Sequence, residues 1–259
     1  MKFLIIATLL LPLSVFGLTG KQIAKKVYES NREVDSIQKT KMTLIDKKKN
    51  KRVRSFVAFA KNNNSYDAQN LILFTKPKSI DGTVMLTHNK KGDDTNQWIY
   101  LSGLKKSRRI SSSKKSGRFV GSDLTYEDLE DREPYMDHHK LLKTKSIKNT
   151  KYYIIQSNAK DKSTSSYKKV VSLINSKTWM VKKSIFYKKK KKAHKTITVS
   201  KFKKIGNSWR AINTKIVNHK IKHTTLLEVQ STKFNVGLKP KHFKKLMLEN
   251  PDRLKRLIP

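Results

Sequence analysis

Residues 52–59 read Arg52-Val53-Arg54-Ser55-Phe56-Val57-Ala58-Phe59. Successive side chains of a strand point to opposite faces, so Val57 and Phe59 share one face while Phe56 and Ala58 share the other. A strand apolar on both faces must be covered twice. A helix can cover one side, and the other then lines an interior that is filled by side chains or left open for a ligand.

The same period of two continues outward from this stretch. Strand-length segments rich in β-branched and aromatic residues lie at 37–45, 52–60, 70–74, 83–87 and 97–101, then at 152–156, 169–174, 182–187, 195–200, 212–218 and 225–231. Asn62 to Asn64, Pro77, Lys91-Gly92-Asp93 and runs of lysine separate them. About eleven strands joined by short hairpins predict a mainly β antiparallel barrel or strongly curved sheet and argue against a parallel α/β fold. Ile23 and Val27 predict a short helix over 21–30; Phe243, Leu246 and Met247 predict another over 241–249, closed by Pro251.

At the N-terminus, Lys2 is followed by an apolar run from Phe3 to Leu13 and then by Val15 and Gly17, the pattern of a signal peptide spanning residues 1–17. One domain over 18–259 is expected to follow, in the periplasm. The alternative is a retained N-terminal anchor. With no cysteine in the chain, neither a lipidated thiol nor a disulfide is available. The formal charge is +40, yet lysine far outweighs arginine and gathers at predicted turns, as in Lys47 to Lys49 and Lys188 to Lys192. That distribution argues against nucleic-acid recognition, which favours arginine, and fits solvated coding bias or transient attraction to anionic lipid head groups.

Residues 97–129, QWIYLSGLKKSRRISSSKKSGRFVGSDLTYEDL, are not generic. The W-x-Y-L strand, the R-R-I-S-S-S turn and the F-x-G-S-D-x-x-Y-E-D element resemble the signature stretch of the outer-membrane lipoprotein-sorting protein family, a LolA-like branch of the LolA/LolB carriers. Met42 to Asp46, Pro77 with Gly82, Tyr167 to Val171 and Thr178-Trp179 extend the likeness. The resemblance implies a single open, incomplete antiparallel barrel around a hydrophobic cavity, with short helices as a lid. It also implies a non-enzymatic carrier of lipid or lipoprotein acyl chains, served by an inner-membrane transporter of the resistance-nodulation-division (RND) or MmpL type. Two departures stand out: Tyr153 lies where relatives are expected to carry a cysteine, and lysine is unusually abundant.

Each sheltered methylene contributes ~0.8 kcal/mol, so complete burial of a 14-carbon chain would reach roughly 10 kcal/mol and hinder release. A partial, open cavity is therefore expected. Its candidate lining is Met42, Leu44, Val57, Phe59, Leu71, Leu73, Met85, Trp98 and Tyr100, a choice that depends on strand register. Arg52 and Arg54 occupy the region where, by resemblance, a basic residue links the barrel to its lid. In the signature loop, Arg108, Arg109, Gly121, Ser122, Asp123, Tyr126, Glu127 and Asp128 are singled out. Its carboxylates suggest capping by Ser122 or Asp123, pairing with Arg108 or Arg109, or a Ca²⁺ site. We expect a monomer with no metal or cofactor. Two other functions stay open: a phospholipid hydrolase using Ser122, Asp123 and His138, and an envelope interaction module with a filled interior. His219 and His223, four apart on a strand, are too distant to share a metal.

Overall fold

The computed structural model describes residues 17–63, 67–90, 92, 95–189 and 191–259. Of the signal peptide expected over 1–17, residues 1–16 lie outside the described residues, as do Asn64, Lys91, Asp93 and Lys190 of the expected turns. No helix among the described residues is long and apolar enough to cross a membrane.

The chain forms one antiparallel sheet built from two meanders. The first is β1 (Asp35–Ile45), β2 (Lys51–Asn62), β3 (Ala68–Lys76), β4 (Val84–Asn89), β5 (Asn96–Leu101) and β6 (Lys106–Arg109). The second is β7 (Asp137–Ile147), β8 (Thr150–Ala159), β9 (Lys169–Asn175), β10 (Val181–Tyr187), β11 (Lys195–Ile205), β12 (Ser208–Asn218) and β13 (His223–Phe234). Pairing of β1 with β13 joins them, and β6 and β7 are the two free edges, so the sheet is open. This is the expected fold with thirteen described strands rather than about eleven. The two additions are the edges, where the apolar alternation fails. All four β6 residues are exposed, and the β7 segment DHHKLLKTKSI is mostly polar.

The helix α1 (Gly20–Glu29) starts at a capping box: Gln22 N–H donates to Thr19 Oγ1 at 3.3 Å, and Thr19 N–H donates to Gln22 Oε1 at 2.8 Å. It buries Ile23 and Ala24 against Tyr153, Ile155 and Ile174. Gly20 permits this approach, since a Cβ there would come within 2.7 Å of the His139 carbonyl oxygen.

Residues 110–136, between the two edge strands, lie on the same face of the sheet as α1. They reach Phe74 in β3, Thr225 in β13 and Ser166 beyond β8. A sheet that touches one segment from both halves must curve around it, and this is the inner face. The outer face of β1 to β5 is covered by the C-terminal segment. Asp35 turns the chain there by accepting the N–H groups of Val236, Gly237 and Leu238 at 2.7, 3.1 and 3.0 Å. Leu238, Phe243, Leu248 and Leu254 then pack on Ile37, Val57, Phe59, Leu71, Leu73, Val84 and Leu86.

The expected helix over 241–249 is corrected. Two 3-10 turns, Pro240–Phe243 and Lys245–Met247, take its place, and Pro251 opens α2 (Pro251–Lys255) instead of closing a helix. Phe243 and Leu248 are the residues held against the sheet, five apart, while Leu246 is 68% exposed. Burial here follows the sheet's outline and not a helical stripe. A proline in the first turn of α2 loses no hydrogen bond.

Candidate functional site: the inner face and its inserted segment

Strand register divides the nine candidate lining residues between the two faces. Phe59 lies opposite Leu71, Leu71 opposite Leu86, and Leu86 opposite Trp98; likewise Val57, Leu73, Val84 and Tyr100 follow one another across the sheet. Val57, Phe59, Leu71, Leu73, Trp98 and Tyr100 thus send their side chains to the outer face, where they hold the C-terminal segment. Met42, Leu44 and Met85 point inward, in one cluster with Phe56, Phe74 and Ile99. The nine do not form a single lining. Their neighbours Ala58 and Ile72 take inner positions instead, because a shift of one residue exchanges the faces and both faces are apolar here.

Under β1 to β5 the inner face is filled by the inserted segment. Ile110, Phe119 and Tyr126, with Val120, Leu124 and Leu129, pack on Met42, Leu44, Phe56, Phe74, Met85 and Ile99. Ring centroids follow one another at 5.7 Å for Phe56 and Phe74, 5.7 Å for Phe74 and Phe119, and 6.0 Å for Phe119 and Tyr126. Arg54 links β2 to this segment by donating to the carbonyl of Val120. Val120 and Gly121 both sit in left-handed backbone, φ 44° and 69°, which turns that carbonyl toward the guanidinium. Arg52 is exposed and makes no such link.

The segment's carboxylates are buried and paired. Asp123 Oδ2 accepts from Thr225 Oγ1 at 2.7 Å and lies 2.6 Å from His223 Nδ1, while Arg118 approaches its Oδ1 at 3.4 Å. Asp128 is paired with Lys195 and accepts from the Tyr167 hydroxyl at 3.0 Å. Burial pushes Lys195 below its ordinary value against the pull of Asp128, and burial together with Asp128 pushes Tyr167 up. Glu127 accepts from Ser166 Oγ at 2.6 Å, and Lys115 pairs with Glu130 at 2.9 Å.

These partners differ from the expected ones. Arg108 and Arg109 are exposed, and Arg109 donates to Asn96 instead. The turn at Glu127–Leu129 has Tyr126 at its N-cap with no side-chain cap; just before it Thr125 Oγ1 accepts from Asp128 N–H at 3.3 Å while Asp128 Oδ2 accepts from Thr125 N–H at 2.6 Å. Ser122 is fully buried and donates to the Phe119 carbonyl at 2.8 Å, Asp123 holds His223, and His138 is exposed on β7. The Ser122, Asp123 and His138 set is therefore not assembled. Among the described residues no three His, Asp or Glu side chains converge to hold a metal.

Beside the filled region lie two adjoining hollows of about 400 and 440 Å³, which share Asn31, Gln38 and Arg210. Ala58, Ile72, Met85 and Thr87 border the first, together with Phe59 and Leu71; Phe56, Leu227, Val229, Met180 and Trp209 border the second. Arg32 and Glu33 after α1 and Leu129 to Asp131 of the inserted segment form part of the first hollow's rim. Arg32 Nη2 holds Asp131 Oδ2 at 2.8 Å. Arg210 donates to the Asn31 carbonyl at 2.6 Å and stacks 4.5 Å from the Phe234 ring centre. The first hollow sets apolar Ala58, Ile72 and Met85 beside Gln38, Asn70 and Thr87, with the guanidinium groups of Arg32 and Arg210 and the carboxylates of Glu33, Glu130 and Asp131 also in its lining. Arg32, Trp209 and Arg210 carried no sequence signal, whereas Asp131 stood in the acidic run after the signature loop; only folding brings them together.

The described residues form a thirteen-stranded open antiparallel sheet curved around an inserted segment, with one helix on its inner face, and this is the fold of a LolA superfamily protein. The model of a family described as Uncharacterized protein matches residues 66–250, and the chain belongs to that family. Among solved structures it is similar to an outer membrane lipoprotein-sorting protein domain from Vibrio parahaemolyticus, with 28% identity over 89% of this chain and 98% of that one and a TM-score of 0.83. A DUF1329 family protein from Desulfovibrio piger shares the fold at 24% identity, over 88% and 97% of the two chains, TM-score 0.82. So does a LolA superfamily protein from Nitrosomonas europaea at 19% identity, over 89% and 100%, TM-score 0.70. No curated protein sequence matches the chain.

Proposed function

We propose that this protein carries an acyl chain of a lipid or lipoprotein in the inner-face hollows, in the bacterial periplasm and toward the outer membrane. One observation carries the reading: the adjoining open hollows of about 400 and 440 Å³ on the inner face, the first rimmed by the Arg32 and Asp131 pair. Each falls within the roughly 300–1,000 Å³ of small-molecule sites. At ~0.8 kcal/mol per buried methylene, partial shelter holds a chain in water and still allows its release. The lipoprotein-sorting description of the Vibrio neighbour supports this reading. Export by the leader at 1–17, supply by an RND or MmpL-type transporter, transient membrane contact, a monomeric state and the absence of enzymatic activity belong to the same proposal.

A second reading rests on Phe119 and its neighbours, which fill the inner face under β1 to β5 as they would in an envelope interaction module. Native mass spectrometry of protein purified from cells separates the two. A carrier shows adducts of lipid mass and takes up a fluorescent fatty acid; protein that is empty in repeated preparations and does not bind the probe leaves the module.

A further inference from the structure

We infer that the end of the sheet formed by six hairpin connections is a docking surface for an anionic lipid bilayer. The antiparallel order brings together the turns after β1, β3, β5, β8, β10 and β12 at one end. Every one of them bears exposed lysine: Lys47 to Lys49, Lys78, Lys105, then Lys160 with Lys162 and Lys168, Lys189 with Lys191 and Lys192, and Lys220 with Lys222. Among the described residues, the hairpin turns at the opposite end carry exposed Lys90, Lys148 and Lys177, with Lys145, Lys151, Lys203 and Lys204 exposed on the strand ends beside them.

Carboxylates offset only a small part of this charge, since Asp46 and Asp161 are the solvated ones among these turns. Asp46 is turned back onto the N–H groups of Lys48 and Asn50, Asp81 pairs with Lys255, and Asp161 accepts from Ser163 N–H. Asp123 and Asp128, which approach this end from the inner side, are buried against Arg118, His223 and Lys195.

Two apolar side chains project among the lysines. Leu104 is 66% exposed in the turn after β5, and Ile221 is 40% exposed between Lys220 and Lys222. A polyanion such as nucleic acid offers these residues nothing. A lipid surface offers phosphate for the amines and an acyl boundary for Leu104 and Ile221. Coding bias would raise lysine at both ends alike. The first hollow borders Ser36, Asn62 and Ala68 near the opposite end, so a docked molecule turns it away from the bilayer. The inference rests on the proposed function only in its membrane contact, for which it names the surface; the cargo hollow plays no part in it.

Flotation of the full-length protein with vesicles tests it. Vesicles containing phosphatidylglycerol should bind and pure phosphatidylcholine should not, and added salt should reverse binding. Each lysine near an anionic surface is worth about fivefold in partitioning. K189E/K191E/K192E/K220E/K222E should therefore lose at least tenfold, L104S/I221S severalfold, and K90E/K148E/K177E little. Equal loss from the opposite-end variant, equal binding to neutral vesicles, or binding to DNA without binding to vesicles overturns the inference. Fatty-acid uptake measured on the same variants reports the carrier reading separately and should be unchanged.

Discussion

Lys195 of β11 and Asp128 of the inserted segment are ion-paired out of water, with side chains 1% and 4% exposed. Lys195 also donates to the Tyr167 hydroxyl at 2.6 Å, so three groups from distant parts of the chain satisfy one another. A buried pair of this kind stabilises little beyond an apolar substitute, yet breaking it strands a charge. K195M and D128N should each lose about 3–5 kcal/mol in urea unfolding, and K195M/D128L should recover most of the loss. Additive losses in the double variant would remove the coupling.

The Arg32 and Asp131 pair ties the chain after α1 to the inserted segment at the rim of the first hollow but is partly solvated, at 17% and 27% side-chain exposure. Its contribution to global stability should be about 1 kcal/mol or less. R32A should thus barely move the melting temperature while raising the dissociation rate of a fluorescent fatty acid severalfold in stopped flow. An unchanged rate would show that the pair has no part in retention.

Ala58 points into the first hollow between Gln38 and Ile72 of the neighbouring strands. A58W should occupy that space and weaken fatty-acid affinity at least tenfold, which corresponds to about 1.4 kcal/mol. V53W, on the outer face at an exposed position, is the control and should bind as the natural protein does. Titration calorimetry on both distinguishes filling from general disturbance.

His88 anchors the C-terminal segment through a 2.7 Å contact between Nε2 and the Phe243 carbonyl, edge-on to Trp98. Burial, aided by Lys90 and Lys245, holds this histidine below its ordinary 6.5. The unfolded chain therefore takes up the proton first as pH falls. Stability associated with His88 is present above pH 6.5 and is lost as pH drops from 6.5 through the lower folded value. Thermal melts at pH 7.5 and 5.5 should show a larger fall for the natural protein than for H88Q. Equal falls would place the pH response elsewhere.

The readable part of the fold was its repetitive interior. Val53 to Phe59 and the segments like it announce strands because period-two apolar alternation is a local property. Edge strands β6 and β7 escaped because an edge has fewer apolar contacts to encode. Phe243 to Leu248 misled because a short apolar spacing fits a helix and a curved outer face equally well. Of the candidate site, Arg54 and the signature loop could be singled out, but their partners could not. His223 lies one hundred residues from Asp123, and nothing local connects them.

Alternation and turn spacing, then, were enough to establish an antiparallel all-β chain, since both act between near neighbours. Which apolar face became inner wall and which became the seat of the C-terminal segment was decided in three dimensions. Parity assigns residues to two sides without naming the sides; only what packs on each can do that. Charge behaved likewise: a lysine surplus spread along the chain became six lysine-bearing turns at one end once antiparallel pairing gathered alternate turns together.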